Sequence, residues 1–138
     1  MNGKERITTL LRGGTPDTLP VMPITMMLAA DEAGVPYRRY ASDFRALVEA
    51  QLVVAERFGF DHVSVISDPT REASDLGANV RWFDDQPPAI DEDAPLLAEH
   101  GALRGLRVID PAAGPRMNDR LAGIALLQER PTCVASTT

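Results

Sequence analysis

The chain has 138 residues, a net charge of −6 and 44% apolar content. That is the size and composition of one soluble globular domain, able to bury roughly 70% of its unfolded surface. The acidic balance argues against non-specific binding to nucleic acid or to an anionic membrane, since Arg38-Arg39 is the one pair of adjacent basic residues. A single cysteine, Cys133, excludes an intramolecular disulfide and fits a reducing compartment.

The opening MNGKERITTL is polar and lacks the apolar centre of a signal peptide. No apolar run approaches the ~20 residues that span a bilayer. The expectation is a cytoplasmic protein. Ile7, Leu10 and Leu11 predict a short helix over Lys4 to Arg12, stopped by Gly13-Gly14. The run LPVMPIT, Leu19 to Thr25, is interrupted by prolines and predicts at most a short strand. Met26 to Gly34 reads as one or two helical turns, and Val35 to Ala41 as a loop or short helix. Asp43 to Phe58 is the clearest helix: Ser42 is the expected N-cap, Gly59 the expected C′ residue, and Phe44, Leu47, Val48, Leu52, Ala55 and Phe58 the expected buried stripe.

DHVSVIS, Asp61 to Ser67, has the β-branched alternation of a strand. A short helix over Pro69 to Leu76 follows, then the strand-like NVRWF. DDQPPAIDEDAP is an acidic, proline-rich loop, and Leu96 to Leu106 is weakly helical. Pro115 suits the first position of a helix reaching Arg130, with Leu121, Ile124, Ala125 and Leu127 on its inner side. The tail over 131–138 gives no regular signal. No repeat or linker divides the chain, so one domain over 1–138 is expected, and the order of elements is that of an α/β fold.

Asp68 is the leading candidate for chemistry. It ends the strand, and the catalytic side of parallel α/β folds lies at the C-terminal ends of strands. A carboxylate there orients donors or moves protons. An Asp before Pro at a strand-to-helix junction also serves as a plain helix cap, and the residues leave both roles open. Arg38 and Arg39 can clamp a carboxylate or phosphate, or simply form an exposed polar loop. Met22, Met26 and Met27 read as core packing or as a flexible apolar ligand wall. Asp84, Asp85, Asp91, Glu92 and Asp93 read as a solvated loop. His62 reads as a core or surface residue and His100 as exposed, and the two make no metal-spacing motif with Cys133. The dinucleotide-binding, P-loop and nucleophile-elbow patterns are missing.

Four stretches together resemble the N-terminal part of the uroporphyrinogen decarboxylase superfamily, which includes the haem-pathway decarboxylase and corrinoid-linked methyltransferases such as methylcobalamin:coenzyme M methyltransferase. They are NGKERITTLLRGGTPDTLPVMP, YASDFRALVEAQLVVAERFGFDHVSVISD, EASDLGANVRWFDDQPP and RMNDRLAGIALLQER. The resemblance covers roughly residues 2 to 130. It implies a (β/α)₈ TIM barrel, of which this chain carries the first few βα units plus an N-terminal helix, because such barrels take about 250 residues. A truncated or frameshifted end is the expected explanation, since PTCVASTT replaces the family's usual turn and strand. An incomplete barrel is expected to leave an open sheet edge and to be marginal, oligomeric or prone to aggregate.

The resemblance implies that Asp68, in ISDP, faces the substrate, as the matching Asp of the decarboxylases faces pyrrole N–H groups. The decarboxylases also carry an arginine-rich signature just after the first strand, where this chain reads ITMMLAADEAGVPYRRY and places Arg38 and Arg39 later. Met26 and Met27 look more like the methyltransferase-type branch. Its zinc ligands, a His and cysteines, lie in the later barrel, so no cofactor is expected on this segment; zinc and a corrinoid partner belong to a full-length relative. The favoured reading is therefore the N-terminal part of an enzyme transferring a methyl group through a corrinoid to a thiol, inactive as this segment. The alternatives are decarboxylation of a tetrapyrrole carboxylate in porphyrin biosynthesis, and a non-enzymatic α/β module completed by a partner chain or by a second copy.

Overall fold

Residues 1–130 and 134–136 are described by a computed structural model of the chain. Its helices are α1 (Gly3–Leu11), α2 (Met26–Glu32), α3 (Tyr37–Ser42), α4 (Phe44–Phe58), α5 (Arg71–Asp75) and α6 (Pro115–Gln128). Its strands are β1 (His62–Ser64), β2 (Val80–Arg81), β3 (Ala89–Ile90) and β4 (Val134–Ser136), with a 3₁₀ turn over His100–Gly105.

The alanine-rich sequence of α4 makes it the hub, packed against α2, α3, α6 and β1. Its N-cap is Asp43 rather than the expected Ser42. Asp43 adopts extended backbone between two helices and its carboxylate accepts the Arg45 N–H at 3.0 Å, whereas Ser42 ends α3 and donates to the Arg38 carbonyl. Gly59 closes the helix at φ 68, a left-handed conformation that favours glycine. The buried face is Leu47, Val48, Ala50, Gln51, Val54 and Ala55. Phe58, expected inside, is 46% exposed and stacks on Phe60. Helices on two sides of α4 widen its inner face, and the small alanines let them approach.

The core joins this face to Ala29 and Ala30 of α2, Tyr37 and Tyr40 of α3, Val63 and Val65 of the β1 segment, and Leu127 of α6. Gly123 lets α6 sit close: a Cβ there would lie 3.2 Å from Val65 Cγ1 and 3.5 Å from Phe44 Cβ. Of the α6 positions expected inside, Leu127 is buried and Leu121 is 45% exposed.

β1 pairs with β4 in parallel, His62 opposite Val134 and Ser64 opposite Ser136. That strand lies within the tail expected to be irregular; Cys133 and the remaining tail positions lie outside the described residues. NVRWF contributes only the two residues of β2, which pair antiparallel with β3 inside the acidic loop. Arg81 holds this small hairpin by pairing with Asp91 and Asp93. Leu19 to Thr25 makes no strand, because its prolines remove ladder donors. It still runs beside the start of β1: the Asp61 N–H donates to the Val21 carbonyl and the Val21 N–H to the Asp61 carboxylate, both at 2.9 Å.

α1 is built by a capping box between Asn2 and Glu5. Its expected apolar stripe is not buried, and Leu11 is 82% exposed. The helix is instead tied down by Arg6, which bridges Asp17 and Asp61, and by Gly3, where a Cβ would come within 2.6 Å of the Asp61 carbonyl oxygen. Among the described residues no helix is long and apolar enough to cross a membrane.

Candidate functional site

The end of β1 leads into Ser67 and Asp68, and four elements converge there. From α3, the Tyr37 and Tyr40 hydroxyls donate to the carbonyls of Ser67 and Ile66. Gln51 of α4 donates to the Tyr40 oxygen at 2.7 Å. Burial raises both phenol pKa values, that of Tyr40 to about 12, so both rings act as neutral donors.

Asp68 lies inside this ring with a side chain that is 0% exposed. Its Oδ1 accepts from the Thr70 N–H at 2.9 Å, the Thr70 hydroxyl at 2.6 Å and Arg116 Nη1 at 3.1 Å. Its Oδ2 accepts from the Ser67 hydroxyl and from Arg116 Nη2 at 2.8 Å. Burial pushes this carboxyl up, but the hydrogen bonds from Arg116, Ser67 and Thr70, with the charge of Arg116, outweigh it and hold the pKa at about 2. The expected helix-cap role takes another form. Thr70 is the N-cap of α5 and makes no side-chain cap bond. Pro69 and Thr70 intervene before the helix starts, so Asp68 closes a local turn on Thr70 instead.

The cations come from later helices. Arg116, in the first turn of α6, meets Asp68 with both terminal nitrogens, and its Nη2 also donates to the Ala41 carbonyl at 3.2 Å. Its guanidinium carbon lies 4.8 Å from the Trp82 ring centre. Arg71, 1% exposed, donates to Asp119, the Arg116 carbonyl and the Ser67 hydroxyl. Burial lowers the pKa of Arg71 and Asp119 opposes this; a guanidinium stays charged in either case. Asp75 holds the start of α6 by accepting the N–H groups of Arg116 and Met117. Beside the cluster is a cleft of about 160 Å³ lined by Ala41, Ser42, Arg71, Trp82, Pro115, Arg116 and Asp119.

The residues singled out from sequence are thus dispersed. Asp68 sits at the centre of the cluster but not on the cleft wall. Arg38 reaches the Trp82 carbonyl at 3.4 Å and pairs with Asp84. Arg39 pairs with Asp43 at 3.8 Å and is 68% exposed. Met26 and Met27 lie on α2, which packs against α3, but neither lines the cleft, and Met27 is 43% exposed. Arg71, Trp82, Arg116 and Asp119 were not legible as a site, since Arg116 stands 48 positions from Asp68. His62 is buried, with neither ring nitrogen hydrogen-bonded among the described residues. Among those residues no three His, Cys, Asp or Glu side chains are grouped to hold a metal ion.

The family model described as uroporphyrinogen decarboxylase (URO-D) matches residues 2–134. Among solved structures, a methyltransferase from Methanosarcina mazei aligns with a TM-score of 0.80 at 18% identity, over 98% of this chain and 41% of that one. The chain therefore spans less than half the length of this relative, and at that identity the likeness is one of fold. No curated protein matches the chain.

Proposed function

The chain belongs to the uroporphyrinogen decarboxylase family, and from that premise we propose that it is the opening part of a (β/α)₈ barrel enzyme of the methyltransferase-like branch. In this reading β1 is a barrel strand and the Asp68–Arg116 cluster stands at the mouth of the barrel, where such enzymes work. The reaction is transfer of a methyl group from a corrinoid to a thiol. The observation that carries the branch is the stretch Met26-Met27-Leu28, where the decarboxylases it resembles carry arginines. Met27 and Leu28 are exposed there. An apolar wall suits a methyl group and a thioether product, and it offers nothing to a substrate bearing several carboxylates. The fold relative, itself a methyltransferase, supports the same branch.

Asp68 contributes by fixing Arg116, which lies 4.8 Å from the Trp82 ring centre, with Arg38 at 5.7 Å from the same ring. In a full-length relative zinc would bind the acceptor thiol and lower its pKa, and among the described residues of this chain no ligand set for it is grouped. The surface of Leu19, Val21, Met22 and Ile24, all exposed, is covered by the remaining βα units, in the same polypeptide or a second chain, or by a second copy. The segment by itself is inactive.

The test joins this segment to the remaining barrel units. The product is assayed with methylcobalamin and 2-mercaptoethanesulfonate, and separately with uroporphyrinogen. Methyl transfer without CO₂ release is expected. CO₂ release without methyl transfer would make the protein a decarboxylase, and neither activity in a folded, completed barrel would leave a non-enzymatic module.

A further inference from the structure

We infer that Arg116 determines what this site can bind: it withholds the Asp68 carboxylate, so the cleft takes a neutral or anionic ligand laid against Trp82 and not a cation that needs an unpaired carboxylate. The inference rests on the reading that the end of β1 is the mouth of the site. An ionised carboxylate offers about four lone-pair positions. Asp68 receives five donors, from Ser67, Thr70 twice and Arg116 twice, so it has no capacity left for a ligand.

The placement agrees with that count. The Arg116 side chain is 10% exposed and lines the cleft, while the Asp68 side chain is 0% exposed and lies behind it. An incoming group therefore meets the guanidinium and the indole before the carboxylate. The terminal nitrogens of Arg116 are engaged as well, by Asp68, Thr70 and Ala41. What faces a ligand is the Trp82 ring, Pro115 and Ala41, with the Ser42 hydroxyl at one side and Asp119, already paired with Arg71 and accepting the Phe44 N–H, at the other. A planar cation meets no unpaired carboxylate until Arg116 is removed, since Asp119 is already paired with Arg71. Arg116 is thus a positioning residue for Asp68 and a specificity residue for the cleft.

Trp82 is the single tryptophan of the chain, so its fluorescence reports on the cleft alone. The probe is benzamidinium, a planar cation with two parallel N–H donors. Wild-type chain is expected to show no saturable change. Arg116→Ala is expected to bind it with a Kd on the order of 1 mM, and the double variant Arg116→Ala with Asp68→Asn to lose that response. Far-UV circular dichroism checks each fold. Should Arg116→Ala unfold, Arg116→Lys replaces it: an ammonium covers one Asp68 oxygen, and a weaker but saturable response is expected. Binding to wild type as tight as to the variants overturns the inference. So does a folded variant that never responds, or loss of the fold in both variants, which would make the pair purely structural. None of these readings requires methyl transfer, so a failed methyl-transfer assay and a failed benzamidinium titration are separate results.

Discussion

The strand β1 is bracketed by two arginine–aspartate pairs of equal length and unequal setting. At its start Arg6 meets Asp61 at 2.8 Å, shares itself with Asp17, and is 23% exposed. At its end Arg116 meets Asp68 at 2.8 Å, and the two side chains are 10% and 0% exposed. Where water reaches an ion pair, it takes over when a partner is removed. Where it does not, the survivor is stranded as an uncompensated charge. The first pair is a tether for α1; the second is part of the packing that fixes α3, α5 and α6 around the candidate site.

The sharpest way to break this comparison is Arg116→Ala. Asp68 would keep Ser67 and Thr70 but lose its counter-ion, and the expected loss is about 3–5 kcal/mol of unfolding free energy. Urea titration followed by circular dichroism measures it. A loss no larger than that of Arg6→Ala would mean that water reaches Asp68 and that the two ends of β1 are alike.

Acid gives the next effect. Asp68 has a folded pKa of about 2 against an ordinary value of 3.8. A depressed carboxylate contributes stability that is present above the unfolded value and lost as pH falls through the folded one. The window is therefore from pH 3.8 down to about 2, and the contribution is roughly 2 kcal/mol at neutral pH. Comparing wild type with Asp68→Asn by urea unfolding across that window should show the difference shrinking as pH falls. A difference independent of pH would assign Asp68 a hydrogen-bonding role without charge.

These two effects centre on residues of differing legibility. Asp68 was readable because a β-branched run ends on it, and α4 because its period, Gly59 and an acidic start agree. The partners of Asp68 were not readable, because a buried arginine has no periodic signature and α6 reaches the site only through the fold. Ser42 and Asp43 are both good caps in sequence; the extended backbone between α3 and α4 decides for Asp43. β2 falls within the strand-like NVRWF, whereas β3 was obscured by an acidic, proline-rich composition that reads as loop, and the expected Phe58 burial failed because two flanking helices, not one, set the inner face of α4. The resemblance to the family carried the fold further than local pattern did, since a strand of three residues such as β1 is weak evidence alone.

Between the two ends of β1 lies His62, and it sharpens the comparison with a smaller effect. Burial lowers its pKa below the ordinary 6.5, so the unfolded chain takes up the proton first as pH falls. Stability should decline as pH drops below 6.5. Replacing His62 by Phe should flatten unfolding curves between about pH 7 and 5. An unchanged slope would place another group in charge of that range.

The smallest effect belongs to the start of the strand. Asp61 keeps the Val21 N–H on its Oδ2 when Arg6 is removed, and Asp17 is 42% exposed and free to hydrate. Burial raises the Asp61 pKa, while Val21 and Arg6 outweigh that and lower it, so part of its stabilisation survives without the arginine. Arg6→Ala should therefore lower the melting temperature slightly at low salt, and the difference should vanish near 1 M salt, where the screening length is about 3 Å. The Arg116→Ala deficit should persist at the same salt, because ions do not reach a side chain that water does not. If both deficits persist, Arg6 is a packing residue of α1 as much as a charge. If both vanish, the pair at the end of β1 is open to solvent, and Asp68 is available to a ligand after all.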